Sequence, residues 1–267
     1  MTARDLAVSA AKSSVLWLRD ERRLERLLAR LAVDGERSRY SHRLLAPTAT
    51  LSPWYDDQAF LATYEAVVDN TLVDIYRCWD LWAALAQVAE VPGDVLEVGV
   101  WRGGTGALMA ERARRLGLDA EVILADTFRG VVNAGSEDPW YRGGEHSDTS
   151  VAIVEELLAG FPGVRHRIAE GMFPDDTGEE LAGRSLRLVH IDVDVYDSAK
   201  ATLNWAWPRL GVGGLVIFDD YGFYECEGVA ALGAELMAAA GTVLRGITSL
   251  NGHLTLVKLA DEPLPTC

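Results

Sequence analysis

The stretch Val95-Leu-Glu-Val-Gly-Val-Trp-Arg-Gly-Gly104 constrains this chain more than any other. An apolar, β-branched run predicts a strand over 95–100, the glycines predict a tight turn, and 105–116 reads as a helix. Strand, glycine turn and helix in succession open a nucleotide-binding α/β sheet, whose ligand sits at the carboxyl ends of the strands. The glycines are not spaced as G-x-G-x-x-G and no Lys-Ser/Thr follows them. That excludes both the dinucleotide fingerprint and the phosphate loop.

The pattern then alternates. Strands are expected at 121–126, 164–169, 186–192, 214–219 and 253–259, with helices at 148–160, 178–182, 198–209 and 227–240. Such alternation implies right-handed βαβ units and a mostly parallel sheet covered on both faces. Asn251-Gly252 is a turn signal that would pair the last strand with an antiparallel one around 243–249. A Rossmann-like sheet closed by such a hairpin is the methyltransferase arrangement, whereas dehydrogenase sheets end parallel. Residues 1–90 differ: a charged amphipathic helix over Asp20–Leu31, a polar stretch over 34–53, then two helical patterns across 56–89. They are expected to form a helical cap or lid on a catalytic domain at 91–267. The loop 129–147, without periodicity, has the length of a binding element.

Composition narrows the class. With 267 residues, 49% of them hydrophobic and 24% charged, the chain suits one α/β domain with an extension. A net charge of −15 argues against a nucleic-acid binder. Cys78, Cys226 and Cys267 are odd in number and widely spaced, which favours a reducing compartment over a disulfide framework. Lys12, Arg19, Asp20 and Glu21 interrupt any signal-peptide core, and no window is apolar enough for a membrane span. A cytoplasmic protein is expected.

The acids carry the chemistry. Glu97 at the end of the first core strand and Asp126 at the tip of the second suit a ligand with a ribose and a positively charged tail, such as S-adenosylmethionine. Glu97 would meet the methionine end. Asp126 would accept both ribose hydroxyls, with Thr127 and Phe128 lining the adenine pocket. Gly99, Gly103 and Gly104 would let the backbone approach, and Val100 and Trp101 belong to the same turn. The competing readings are a solvated acid for Glu97 and a helix cap for Asp126. In His190-Ile-Asp-Val-Asp-Val-Tyr-Asp197, alternation puts Asp192 and Asp194 on one side of a strand end. Asp219 and Asp220 end the next strand. Converging carboxylates repel unless a cation joins them, and an all-oxygen cluster suits Mg²⁺. Asp197, and one of Asp219 and Asp220, have capping as their competing role. His146 in the long loop is placed to reach a substrate.

Val98–Gly104, Asp126-Thr-Phe-Arg-Gly130, Asp192-Val-Asp-Val-Tyr196 and Asp219-Asp-Tyr221 together resemble the macrocin O-methyltransferase (TylF-type) family, which methylates sugar hydroxyls of antibiotics and related natural products. The resemblance covers roughly residues 60 to 260. It implies Mg²⁺ held by Asp192, Asp219 and Asp220, with Asp194 as general base. It also implies S-adenosylmethionine held by Glu97, Gly99, Asp126 and Phe128, with Gly171-Met-Phe173 near the adenine and Asp192 at the metal–cofactor boundary. Tyr196 and Tyr221, beside the acidic motifs, and His146 are expected at the acceptor, a small-molecule glycoside, in a homo-oligomer. Val193 and Arg129 stand where the family usually has glycine and an acid. The rival readings are a catechol-type O-methyltransferase acting on a phenol, a non-catalytic cofactor-binding scaffold and an NAD-dependent oxidoreductase.

Overall fold

The computed structural model describes residues 52–264. The helix expected over Asp20–Leu31 and most of the polar stretch lie outside the described residues. Asp57–Cys267 form one compact unit. The two helical patterns placed in a 1–90 cap therefore fold within the same unit as the sheet: α1 (Gln58–Val67), a 3₁₀ turn (Val68–Asn70) and α2 (Ile75–Gln87). Asp57 caps α1 through Phe60 N and also accepts from Trp82 Nε1 at 3.0 Å, fastening α1 to α2. Asp74 caps α2 through Tyr76 N and Arg77 N.

The remaining order is β1 (Asp94–Val98), α3 (Gly104–Arg115), β2 (Val122–Asp126), α4 (Val151–Ala159), β3 (His166–Glu170), β4 (Leu186–Ile191), α5 (Tyr196–Ala206), β5 (Leu210–Phe218), α6 (Glu227–Ala238), β6 (Leu244–Thr248) and β7 (Leu254–Lys258). The seven strands lie in the order β3-β2-β1-β4-β5-β7-β6. All pairs up to β4–β5 are parallel; β5–β7 and β6–β7 are antiparallel. The α/β fold and its terminal hairpin are thus as the alternation predicts, with element ends shifted by a few residues. The helix expected at 178–182 is absent: these residues form turns, because Gly178 and Gly183 bracket a run of four residues, too short to nucleate one.

Strand β4 is buried along its whole length, as a central parallel strand must be. Leu96, Val98, Val189 and Ile191 face the layer of α5 and α6, joined there by Leu203, Val229 and Leu232. The other face carries α3, against which α1, α2 and α4 pack. Strand order reverses between β1 and β4, so the loops leaving these strands splay apart and open a crevice at their carboxyl ends.

Candidate active site

A cleft of about 370 Å³ occupies that crevice, within the roughly 300–1,000 Å³ range of small-molecule sites. Among the residues singled out from sequence, Gly99, Val100, Trp101, Asp126, Thr127, His146, Gly171, Phe173, Asp192, Asp194, Asp219 and Asp220 line it. Glu97, Gly103, Phe128, Tyr196 and Tyr221 do not.

The displaced residues have physical reasons. Glu97 lies in the strand rather than at its tip, fully buried, with Oε1 3.0 Å from Nδ1 of His190, its register partner on β4. Tyr196 opens α5, and its hydroxyl donates to Glu235 and accepts from Lys200, each at 2.8 Å. The Tyr221 ring packs where a Cβ on Gly233 of α6 would otherwise sit. Gly103, at φ +86°, initiates α3 and abuts Val154.

Gly99 is required by geometry. Its φ is +87°, and a Cβ there would lie 1.6 Å from the Asp192 carbonyl oxygen. Asp126 takes up the turn that follows. Oδ2 accepts from Val100 N at 2.6 Å and Trp101 N at 2.9 Å, and Oδ1 accepts from Phe128 N at 2.7 Å. Three of its roughly four acceptor sites thus hold backbone. Asp126 builds the rim of the cleft as well as facing into it.

The acids at the ends of β4 and β5 converge as expected, though not by strand alternation. β4 ends at Ile191, and Val195 N donates to Val193 O at 2.7 Å, a γ-turn centred on Asp194. Asp194 and Asp220 sit at φ +64° and +57°, left-handed conformations that cost non-glycine residues roughly 1–3 kcal/mol each. Ligand oxygens of Asp192, Asp219 and Asp220 lie within 4.8 Å of one another.

Charge is balanced unevenly. Burial, then the neighbouring carboxylates, push Asp192 and Asp220 well above the usual carboxylate range. Burial also raises Asp194, against the Tyr141 hydroxyl and His146, which favour its ionised form. Asp219 goes the other way: burial opposes its charge, but His253, Arg77 and His190 outweigh it and hold it low. His253 Nε2 lies 2.9 Å from Asp219 Oδ1, and its Nδ1 lies 3.3 Å from Asp80. Burial disfavours charge on this imidazole, yet its two acids raise it to about 9.

Three contributors escaped the sequence reading. Arg77, from α2, places Nη1 2.6 Å from Asp219 Oδ2 and 3.0 Å from Asp220 Oδ1. Tyr141 lies with Cys226 beside Asp194, its hydroxyl 3.7 Å from the Cys226 sulfur. Asp138 anchors the long loop, accepting from Gly135 N and from Tyr196 N, each at 3.0 Å. It thereby caps α5, which has no side-chain cap of its own. Arg77 and Asp219 are 142 positions apart, so no local spacing could reveal their pairing. The aperiodic loop was the only signal for Tyr141 and Asp138.

The profile of the family described as Macrocin-O-methyltransferase (TylF) matches residues 61–233. The chain is 33% identical over 172 residues to the 8-demethyl-8-(2,3-dimethoxy-alpha-L-rhamnosyl)-tetracenomycin-C 4'-O-methyltransferase of Streptomyces olivaceus, covering 60% of this chain and 66% of that enzyme. It is also 33% identical over 166 residues to the demethyldecarbamoylnovobiocin O-methyltransferase of Streptomyces niveus, covering 57% and 62%. The match thus spans just under two thirds of these relatives' length. Among solved structures it is similar to the O-methyltransferase NovP, with TM-score 0.63 and 27% identity over 72% of this chain and 83% of that one. The calicheamicin methyltransferase CalS11, at TM-score 0.58 and 19% identity over 78% and 94%, shares the fold. The matched span runs from α1 into α6 and takes in every acid of the cleft, so the chain belongs to the macrocin O-methyltransferase family.

Proposed function

We propose that this protein is an S-adenosylmethionine- and Mg²⁺-dependent O-methyltransferase that acts on a sugar hydroxyl of a glycosylated natural product. One observation carries the reading: Asp192, Asp194, Asp219 and Asp220 gather on the floor of a single cleft at the switch point of the sheet. The relatives named above, two of them methyltransferases of antibiotics or their sugars, support the substrate class.

The residues fit the groups this reading needs. Asp192, Asp219 and Asp220 form an all-oxygen donor set of the hard-cation kind, and two of them are held uncomfortably close to like charges. The Gly99 turn, the apolar wall of Val98, Ala125 and Phe173, and the acidic floor suit an adenosyl sulfonium ligand. When bound, S-adenosylmethionine supplies the electrophilic methyl group and Mg²⁺ acidifies the acceptor hydroxyl. Asp194 receives the hydroxyl proton, and its raised pKa brings a carboxylate base nearer to the working pH. The Tyr141 hydroxyl and His146 favour the charge on Asp194. The loop carrying them, pinned by Asp138, lines one side of the cleft. The functional unit we propose is a homo-oligomer, since oligomers are most often built from identical chains, and sedimentation velocity tests it. No helix among the described residues is long and apolar enough to cross a membrane.

Calorimetric titration of S-adenosylhomocysteine, with Mg²⁺ and after chelation, tests the assignment. Saturable binding in either condition supports it. Absence of binding in both would remove the cofactor.

A further inference from the structure

Arg77 is almost fully buried, at 7% exposure, and it is held from several sides. Its Nε donates to Asp74 Oδ2 at 3.0 Å, while Asp74 Oδ1 is fixed by capping α2. The guanidinium carbon lies 4.7 Å from the centre of the Phe223 ring. Its Nη1 sits between Asp219 Oδ2 and Asp220 Oδ1 at 2.6 and 3.0 Å. The other oxygen of Asp219 faces His253 at 2.9 Å. One oxygen of Asp219 and one of Asp220 thus already face the Arg77 cation, and the second oxygen of Asp219 faces the His253 imidazole.

A divalent cation binds carboxylate oxygens at roughly 2.0–2.6 Å. It cannot share the space between Asp219 Oδ2 and Asp220 Oδ1 with a guanidinium that already sits at hydrogen-bond distance from each. We infer that Arg77 is the internal counter-cation of the Asp219–Asp220 pair and competes with the divalent cation for it, so that loading the site requires the Arg77 side chain to withdraw. The inference rests on the metal reading above and adds to it a residue that sets metal affinity. Arg77 balances one of the two carboxylate charges in the metal-free protein. The segment leading to it, Thr71, Leu72 and Val73, lines the same cleft, so its withdrawal couples metal loading to the cleft wall. A purely structural ion pair predicts otherwise: Arg77 would stay in place, the metal would take other oxygens, and removing Arg77 would gain nothing.

The test is titration of Mn²⁺ into the whole protein, with free ion followed by electron paramagnetic resonance, for wild type, Arg77→Gln and Arg77→Lys. Removing a competitor raises the fraction of acids available, so Arg77→Gln should bind Mn²⁺ about tenfold more tightly or better. In chelator its unfolding temperature should fall below wild type, and Mn²⁺ should restore it. Arg77→Lys keeps the charge and should stay within about threefold of wild type. Equal or weaker binding by Arg77→Gln would overturn the competition while leaving the metal site standing. No Mn²⁺ binding by any folded form would overturn the metal site and the competition together. Wild-type protein labelled with ¹⁵N-arginine supplies a readout that needs no variant: Mg²⁺ should shift the Arg77 Nε resonance and speed its hydrogen exchange. An unmoved, still protected resonance in the loaded protein would equally overturn the inference.

Discussion

Asp194 concentrates the proposed chemistry in one residue: a left-handed backbone at φ +64°, a half-buried carboxyl with a raised pKa, and a position on the cleft floor beside Tyr141. Asp194→Asn keeps the shape and removes the base. It should lower kcat by about 10²-fold or more and leave S-adenosylhomocysteine affinity nearly unchanged by calorimetry; a parallel loss of cofactor binding would place Asp194 elsewhere. Gly99→Ala is a different kind of change. Its Cβ would fall 1.6 Å from the Asp192 carbonyl at a positive φ, so the turn must distort. Denaturant unfolding should show a loss of at least about 1–3 kcal/mol together with weakened cofactor binding. Residue types were legible here because strand-end acids and a glycine turn leave local signatures. Orientation was less so. Tyr196 and Tyr221 adjoin the acidic motifs, but α5 and α6 turn both away, and Glu97 answers to its register partner His190. Periodicity says which face a residue takes, and not which neighbour claims its polar atom.

At the scale of elements, the loop 129–147 and α5 behave as one device. Asp138 lends α5 the cap that its own N-terminus lacks and pins the loop bearing Tyr141 and His146. Gly228 of α6 leaves room for it: a Cβ there would lie 1.8 Å from Asp138 Oδ1. Asp138→Ala should cost about 1–2 kcal/mol of stability, as lost caps do, and should speed proteolytic cleavage within 129–147. Unchanged cleavage would show that other contacts order the loop. Secondary structure was readable wherever an element spans several turns or alternations, as in β4, α6 and the β6–β7 hairpin. It failed at 178–182, where Glu179-Glu-Leu-Ala182 between two glycines imitates a helix that has too few bonds to persist. The anchoring role of Asp138 was invisible, since its partner on α5, Tyr196 N, lies 58 positions along the chain.

For the whole molecule, the parallel sheet makes the cleft a fixed feature rather than a fold-on-binding one. The strands that carry its floor are buried and in register. Ligand binding should therefore add stability by mass action alone. S-adenosylhomocysteine at a hundred times its Kd contributes about 2.7 kcal/mol, which for a chain of this size raises Tm by about 5–10 °C. The fold class followed from alternation and the closing hairpin, and the cleft's position followed from the fold class. What required coordinates was the internal cation. Methyl transfer to a sugar hydroxyl over the acidic floor is the proposed reaction. Its most direct test is incubation with S-adenosylmethionine and paired glycosides and aglycones, with and without chelator, read by mass spectrometry. One methyl should be gained on the sugar of a glycoside and none on the matching aglycone, and chelation should abolish the product. Methylation of the aglycone, or of a free phenol, undiminished by chelation would contradict it.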